Sequence, residues 1–257
     1  MKFQPSRLLI SLLAGAFLSC SGRQALAVAP LTLQSGFLAA FGHTSPMRRN
    51  VRSPSGRLNY MLHPLLLVRL SGTHAALIVA EDTDDGNAYT GAVAVAYLTW
   101  RSNQWRLFRV WYEFIQTGSF GTAFLSYREF HYGNFPLFVG ESENSGTGAV
   151  TTWYNLIGLS PNGPLAWGFI HAEGAFNSSP DGLRDGDGDI GCGGYAYSSS
   201  ISAPTKSDNL MEVTYRGWML PGGQGQKRHE FLISAEVATK KGRLSLQPAP
   251  EIPNCGD

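Results

Sequence analysis

The feature that most constrains this chain is a succession of short apolar and aromatic runs from residue 66 almost to its end, each closed by turn residues. The runs are Leu66–Leu70, Ala75–Glu81, Ala92–Arg101, Gln104–Phe114, Thr122–His131, Pro136–Glu141, Ala149–Ile157, Leu165–Ala172, Tyr195–Ala203, Leu210–Trp218, Glu230–Val237 and Arg243–Gln247. They are rich in Val, Ile, Phe, Tyr, Trp and Thr, the residues that fit a pleated, half-buried surface. Ser102-Asn103 reads as a tight hairpin turn, and Gly133-Asn134, Asn162-Gly163 and Gly222-Gly223 mark others. Helical periodicity is lacking after residue 60, although Leu33 to Phe41 suits two short helical turns. The expected fold is all-β and mostly antiparallel, with about twelve strands in a curled sheet or a two-layer sandwich. No motif recurs at the period of a propeller blade.

One strand is informative about layering. Ala92, Ala94 and Ala96 alternate with Val93, Val95 and Tyr97, so one face is small and the other bulky, and another layer is expected close on the small side. In the next strand, Trp105, Leu107, Arg109, Trp111 and Glu113 fall on one face by simple alternation. Two tryptophans flanked by Arg109 and Glu113 form the pattern of a sugar-stacking or partner-gripping surface; burial in the core is the plainer alternative.

The N-terminus carries a second kind of pattern. Lys2 and Arg7 precede the uncharged apolar run Leu8 to Leu18, and Ala25-Leu26-Ala27 supplies a small-x-small cleavage site. Residues 1–27 are therefore expected to be a signal peptide, with a mature chain from Val28 in the periplasm or outside the cell. The apolar run is too short to span a bilayer, which takes about 20 residues. Lipidation of Cys20 is the minority alternative, disfavoured by Phe17 and Leu18 where a lipobox wants Leu and a small residue. Residues 28–60, punctuated by Pro and Gly and carrying Arg48, Arg49, Arg52 and Arg57, are expected to be an irregular basic segment. Residues 61–257 then form a single β-rich domain.

Charge excludes one class of partner. The whole chain has 20 basic and 19 acidic residues; loss of Lys2, Arg7 and Arg23 leaves 17 against 19. That balance argues against nucleic acid, whose binders are normally basic.

Cys192 and Cys255 are the two cysteines beyond the leader, and an even count in an exported chain points to one disulfide. Closing a loop of about 63 residues, such a bridge stabilises by about 4 kcal/mol in the chain-entropy account. Just before it, Asp185, Asp187 and Asp189 alternate with glycines, a spacing that lets a tight loop turn three carboxylates toward a hard cation, calcium above all. Ile190 and Ala196 stand where an EF-hand wants Gly and Glu, so the loop is not an EF-hand, and a solvated acidic turn is the alternative. A second acidic turn, Glu81 to Asn87, has weaker spacing of the same kind.

Signatures of covalent catalysis are missing. The chain has no G-x-S-x-G, no H-E-x-x-H, no Walker loop and no dinucleotide fingerprint. Glu113, Glu129, Glu141 and Glu143 remain candidates for paired-carboxylate chemistry, subject to their separation in space. Two functions follow as expectations. The first is a non-enzymatic exported domain binding an envelope glycan, polymer or protein, with calcium as a stabiliser; the second is a hydrolase of such a polymer through two carboxylates. A deep cleft holding two close carboxylates would favour the hydrolase, and a flat aromatic face would favour the binder.

Overall fold

A computed structural model describes residues 30–53, 56–83, 90–119, 121–132, 135–146, 149–177, 194–202, 211–220, 227–240 and 243–250. One helix, α1 (Leu33–Phe41), precedes thirteen strands that form two antiparallel sheets. The first sheet runs β1 (Met47–Ser53), β2 (Gly56–Ser71), β3 (His74–Thr83), β4 (Gly91–Arg101) and β5 (Gln104–Thr117). The second contains β6 (Ser126–Tyr132), β7 (Phe135–Gly146), β8 (Ala149–Ser160), β9 (Gly163–Asn177), β10 (Gly194–Ile201), β11 (Met211–Leu220), β12 (His229–Lys240) and β13 (Arg243–Gln247). Both are meanders, with every strand paired to its sequence neighbour. All twelve expected strands are present. Ser102 and Asn103 both take positive φ, at 50° and 61°, as a type I′ hairpin requires.

The segment expected to be irregular is instead partly regular. Its described residues contain α1, β1 and the start of β2. Thr32 caps the helix through a reciprocal pair of bonds with Ser35, and Gly42 ends it in the left-handed region at φ 72°. Strand β1 escaped the apolar pattern because it is an edge strand bearing Arg48 and Arg49, and charge is how exposed edges are kept from pairing further.

Three apolar layers hold these elements together. On one face of the first sheet, Leu77, Val79, Ala92, Ala94, Ala96 and Leu98 pack under Phe37 and Ala40 of α1. The helix is therefore the close layer that the alanine face required. Its approach is tight: a Cβ added at Gly36 would stand 3.3 Å from Leu67 and 3.5 Å from Leu98. On the other face, Ile78, Val93, Val95 and Tyr97 meet Phe138, Ile157 and Leu159 of the second sheet. A buried polar tie crosses that interface. Asn155 Nδ2 donates to Thr117 Oγ1 (2.8 Å) and Ser142 Oγ (2.7 Å), and Thr117 Oγ1 donates to Ser142 Oγ (2.6 Å).

The second sheet curls into a half-barrel, so that Leu244 of β13 comes to face Gly168 of β9. Its inner core includes Leu156, Trp167, Ile170, Tyr197, Val213 and Tyr215. Tyr197 lies across Gly174, where a Cβ would fall within the space of its ring. Tyr215 is fully buried, and its hydroxyl has no hydrogen-bond partner among the described residues.

Two stability outcomes follow. Phe37→Ala removes the main helical contribution to the first core and should cost about 3–5 kcal/mol in denaturant unfolding; a helix merely resting on the surface would give far less. Tyr215→Phe removes a buried, unpaired hydroxyl while keeping the ring, and should leave stability unchanged or raise it by up to about 1–3 kcal/mol. Destabilisation by that change would show that the hydroxyl is satisfied.

Candidate functional site

Two β-bulges rewrite the expected tryptophan face. Opposite β4, register shifts fall between Leu107 and Arg109 and again between Trp111 and Ile115. Trp105 consequently packs on the helix side of the sheet, whereas Trp111 packs toward the second sheet with its ring 5.2 Å from that of Tyr97. Arg109 stacks on Trp111 at 4.8 Å, and Glu113 turns away into a different cluster. Trp105, Arg109, Trp111 and Glu113 thus form no common surface. An extra residue in one strand of a pair reverses the faces that follow, which alternation alone does not reveal.

Glu113 joins a buried ion cluster instead. Arg49 on β1 donates from Nη2 to Glu81 Oε1 (2.6 Å) on β3 and to Glu113 Oε1 (2.8 Å) on β5. Glu81 also accepts the Glu113 backbone N–H at 2.6 Å. That bond is made because Glu113 sits at φ 48°, a conformation costing a non-glycine residue on the order of 1–3 kcal/mol. The guanidinium lies 4.2 Å from the centre of the Tyr112 ring and 5.2 Å from that of Tyr60. Glu81 is fully buried, and burial pushes its carboxyl above the usual range, opposed by the Glu113 N–H and by Arg49. One cation therefore neutralises two carboxylates, clasping three strands of the sheet.

These two carboxylates share one cation, but a hydrolase needs its pair open to substrate. Glu81 is closed to solvent. Of the other candidates, Glu129 on β6 lies 3.9 Å from His131, and Glu141 on β7 accepts from Ser126 at 2.7 Å, with Glu143 two residues further along the same strand.

A different site opens on the half-barrel. The face of β9–β11 opposite the tyrosine core carries two cross-strand rows, Glu173–Ser198–Arg216 and Ala175–Ala196–Trp218. Glu173, Ala175, Ser198 and Arg216 are exposed and Trp218 is half-buried. The small residues between them leave a shallow groove of about 420 Å³, lined also by Gly174, Tyr197 and Gly217. Arg228 stacks on Trp218 at 4.6 Å, with Glu230 3.9 Å from its guanidinium. The sequence signal for this site was weak, because its polar members alternate with core residues on three strands far apart in the chain. On the inner side, burial pushes the Tyr197 phenol up to about 12 and holds His171 below its usual value, so both are neutral at pH 7.

Asp185, Asp187, Asp189, Cys192 and Cys255 lie outside the described residues, as do residues 1–27. From the second acidic turn, Asp82 is described: it accepts the Ala123 N–H at 2.9 Å and so holds the segment entering β6. Among the described residues, no three His, Cys, Asp or Glu side chains converge as metal ligands, and no helix is long and apolar enough to cross a membrane. No protein-family model, curated protein or solved structure matches the chain. Fold and site alone therefore define its class: a helix-covered sheet joined to a half-barrel that bears an open surface groove.

The ion cluster has a pH signature. A folded-state value raised above the ordinary carboxylate value of 4.5 means that the native state holds the Glu81 proton more tightly than the unfolded chain. This contribution is fully present below pH 4.5 and is lost as pH rises through the raised value. Unfolding free energies of Glu81→Gln should lack that decline. A pH-independent difference between variant and wild type would show an unshifted carboxyl. Arg49→Met, which strands a buried charge, should cost about 3–5 kcal/mol at neutral pH.

Proposed function

We propose that this protein is an exported, non-enzymatic binding domain whose β9–β11 groove takes a glycan of the cell envelope or extracellular space. The observation that carries the reading is the pairing of Trp218 with Glu173, Ser198 and Arg216 around a floor of glycine and alanine. An indole offers an apolar platform for a sugar ring, while the flanking acceptor, hydroxyl and guanidinium match the hydroxyls around that ring. The groove is shallow and open-sided, which suits a chain-like ligand that passes across it. Export through residues 1–27, the Cys192–Cys255 bridge and calcium at Asp185, Asp187 and Asp189 belong to the same reading on the sequence arguments given above.

The hydrolase alternative draws less support. Glu81 and Glu113 share one arginine, and Glu81 is closed to solvent.

Protein purified from the exported fraction should be retained on an insoluble envelope glycan such as peptidoglycan sacculi. Trp218→Ala and Arg216→Ala should each weaken retention about tenfold or more, the scale of a binding hot spot, with little change in Tm. Equal retention of both variants would remove the groove from the reading, and release of soluble sugar fragments would favour the hydrolase.

A further inference from the structure

The ends of a meander differ in chemistry, and in the first sheet the difference is large. The β2–β3 and β4–β5 hairpins turn at one end, where Arg69, Arg101 and Arg106 are exposed. From residue 30 to 117 the described acidic side chains are Glu81, Asp82 and Glu113, and all three stand at the opposite end, by the end of β3 and the end of β5. Among the described residues of the first sheet, the hairpin end is therefore cationic without local compensation. The β8–β9 turn, Ser160 to Gly163, reaches the sheet's other face through the bond from Tyr97 to the Ser160 carbonyl, and it too is uncharged.

Exposed apolar groups belong to the same sheet and its helix; Arg69 lies on the helix side with Trp105 and Leu107, whereas Arg101 and Arg106 alternate onto the other side. Phe108 is 62% exposed, Leu38 on α1 is 49% exposed and Leu107 is 38% exposed. Leu107 pairs with Leu98, which lies against Gly36 of the helix, so α1 and β5 contribute to one surface. Beside it the half-buried Trp100 and Trp105 rings stand 5.6 Å apart, with Arg69 stacked on Trp105 at 4.7 Å.

We infer that the hairpin end of the first sheet docks on an anionic lipid surface. Each component has a place in such an interface. Leucine and phenylalanine enter the boundary of the acyl region, tryptophan prefers the headgroup level, and arginines meet lipid phosphates. A dissolved polyanion would satisfy the arginines but leave Phe108 and Leu38 in water, so the exposed apolar groups favour a membrane over a free polymer. The surface is separate from the β9–β11 groove, and the inference does not depend on the glycan reading.

The test is co-sedimentation of the protein, expressed with its own leader and purified from the exported fraction. Two vesicle types are compared: phosphatidylcholine alone, and phosphatidylcholine with 30 mol% phosphatidylglycerol. Partition onto the anionic vesicles should be about 100-fold stronger, from roughly fivefold per arginine near a charged surface, and should fall in 0.5 M salt. The double reversal R101E/R106E should lose at least about 25-fold on the same scale. Phe108→Ser should lose about tenfold or more through its apolar area. All three positions are exposed, and an unchanged Tm shows that the variants are folded. Equal partition onto the two vesicle types, or full binding by R101E/R106E, overturns the inference. So does unaltered vesicle binding by Phe108→Ser together with equal binding of dextran sulfate, which would make the surface a simple polyanion site.

Discussion

Nine consecutive residues of β4, from Gly91 to Thr99, are buried on both faces of the sheet. A strand in that position cannot face water on either side, so its sheet needs two covering layers. The alanine face admits only a close neighbour, and α1 supplies it with Gly36 at the point of approach. The valine and tyrosine face admits a second sheet, and β7 and β8 supply Phe138, Ile157 and Leu159. The order of the layers, helix then sheet then half-barrel, follows from that single strand.

The Arg49 cluster is a consequence of the same arrangement. Near the far end of β3 the apolar cover gives out, and Glu81 would be a buried, unpaired charge without a partner. Arg49 and the Glu113 backbone provide it, at the expense of a left-handed residue at Glu113 and an Arg49 Nε without a hydrogen-bond partner among the described residues. Such a cluster is better understood as fixing the alignment of β1, β3 and β5 than as adding much net stability, since buried ion pairs repay most of their attraction as desolvation. Its closure also keeps Glu81 from facing a substrate beside Glu113.

Both proposed surfaces lie where the layers end. The groove is on the face of the half-barrel that no other layer of the described residues covers, and the cationic end of the first sheet lies at its hairpin turns. An exported domain that holds a glycan with one surface and a lipid headgroup layer with the other would bridge two components of an envelope.

Twelve of the thirteen strands were legible in the residues, because period-two alternation and turn residues are local properties. Two short helical turns at residues 33–41 were legible for the same reason, as was the tight hairpin turn at Ser102-Asn103, whose type I′ form the structure supplied. Strand β1 was hidden because an edge strand is defined by what it fails to pair with, and its arginines resemble those of a loop. Tertiary structure alone decided the faces of β5, since bulges arise from the match between two strands and not from either one. It also decided the partners of Glu81, which lie 32 residues away at both Arg49 and Glu113, and the groove, whose residues come from three separate strands. Local chemistry writes the period of a strand into its residues; which side chains meet across a sheet depends on register, and register is settled only when the layers pack.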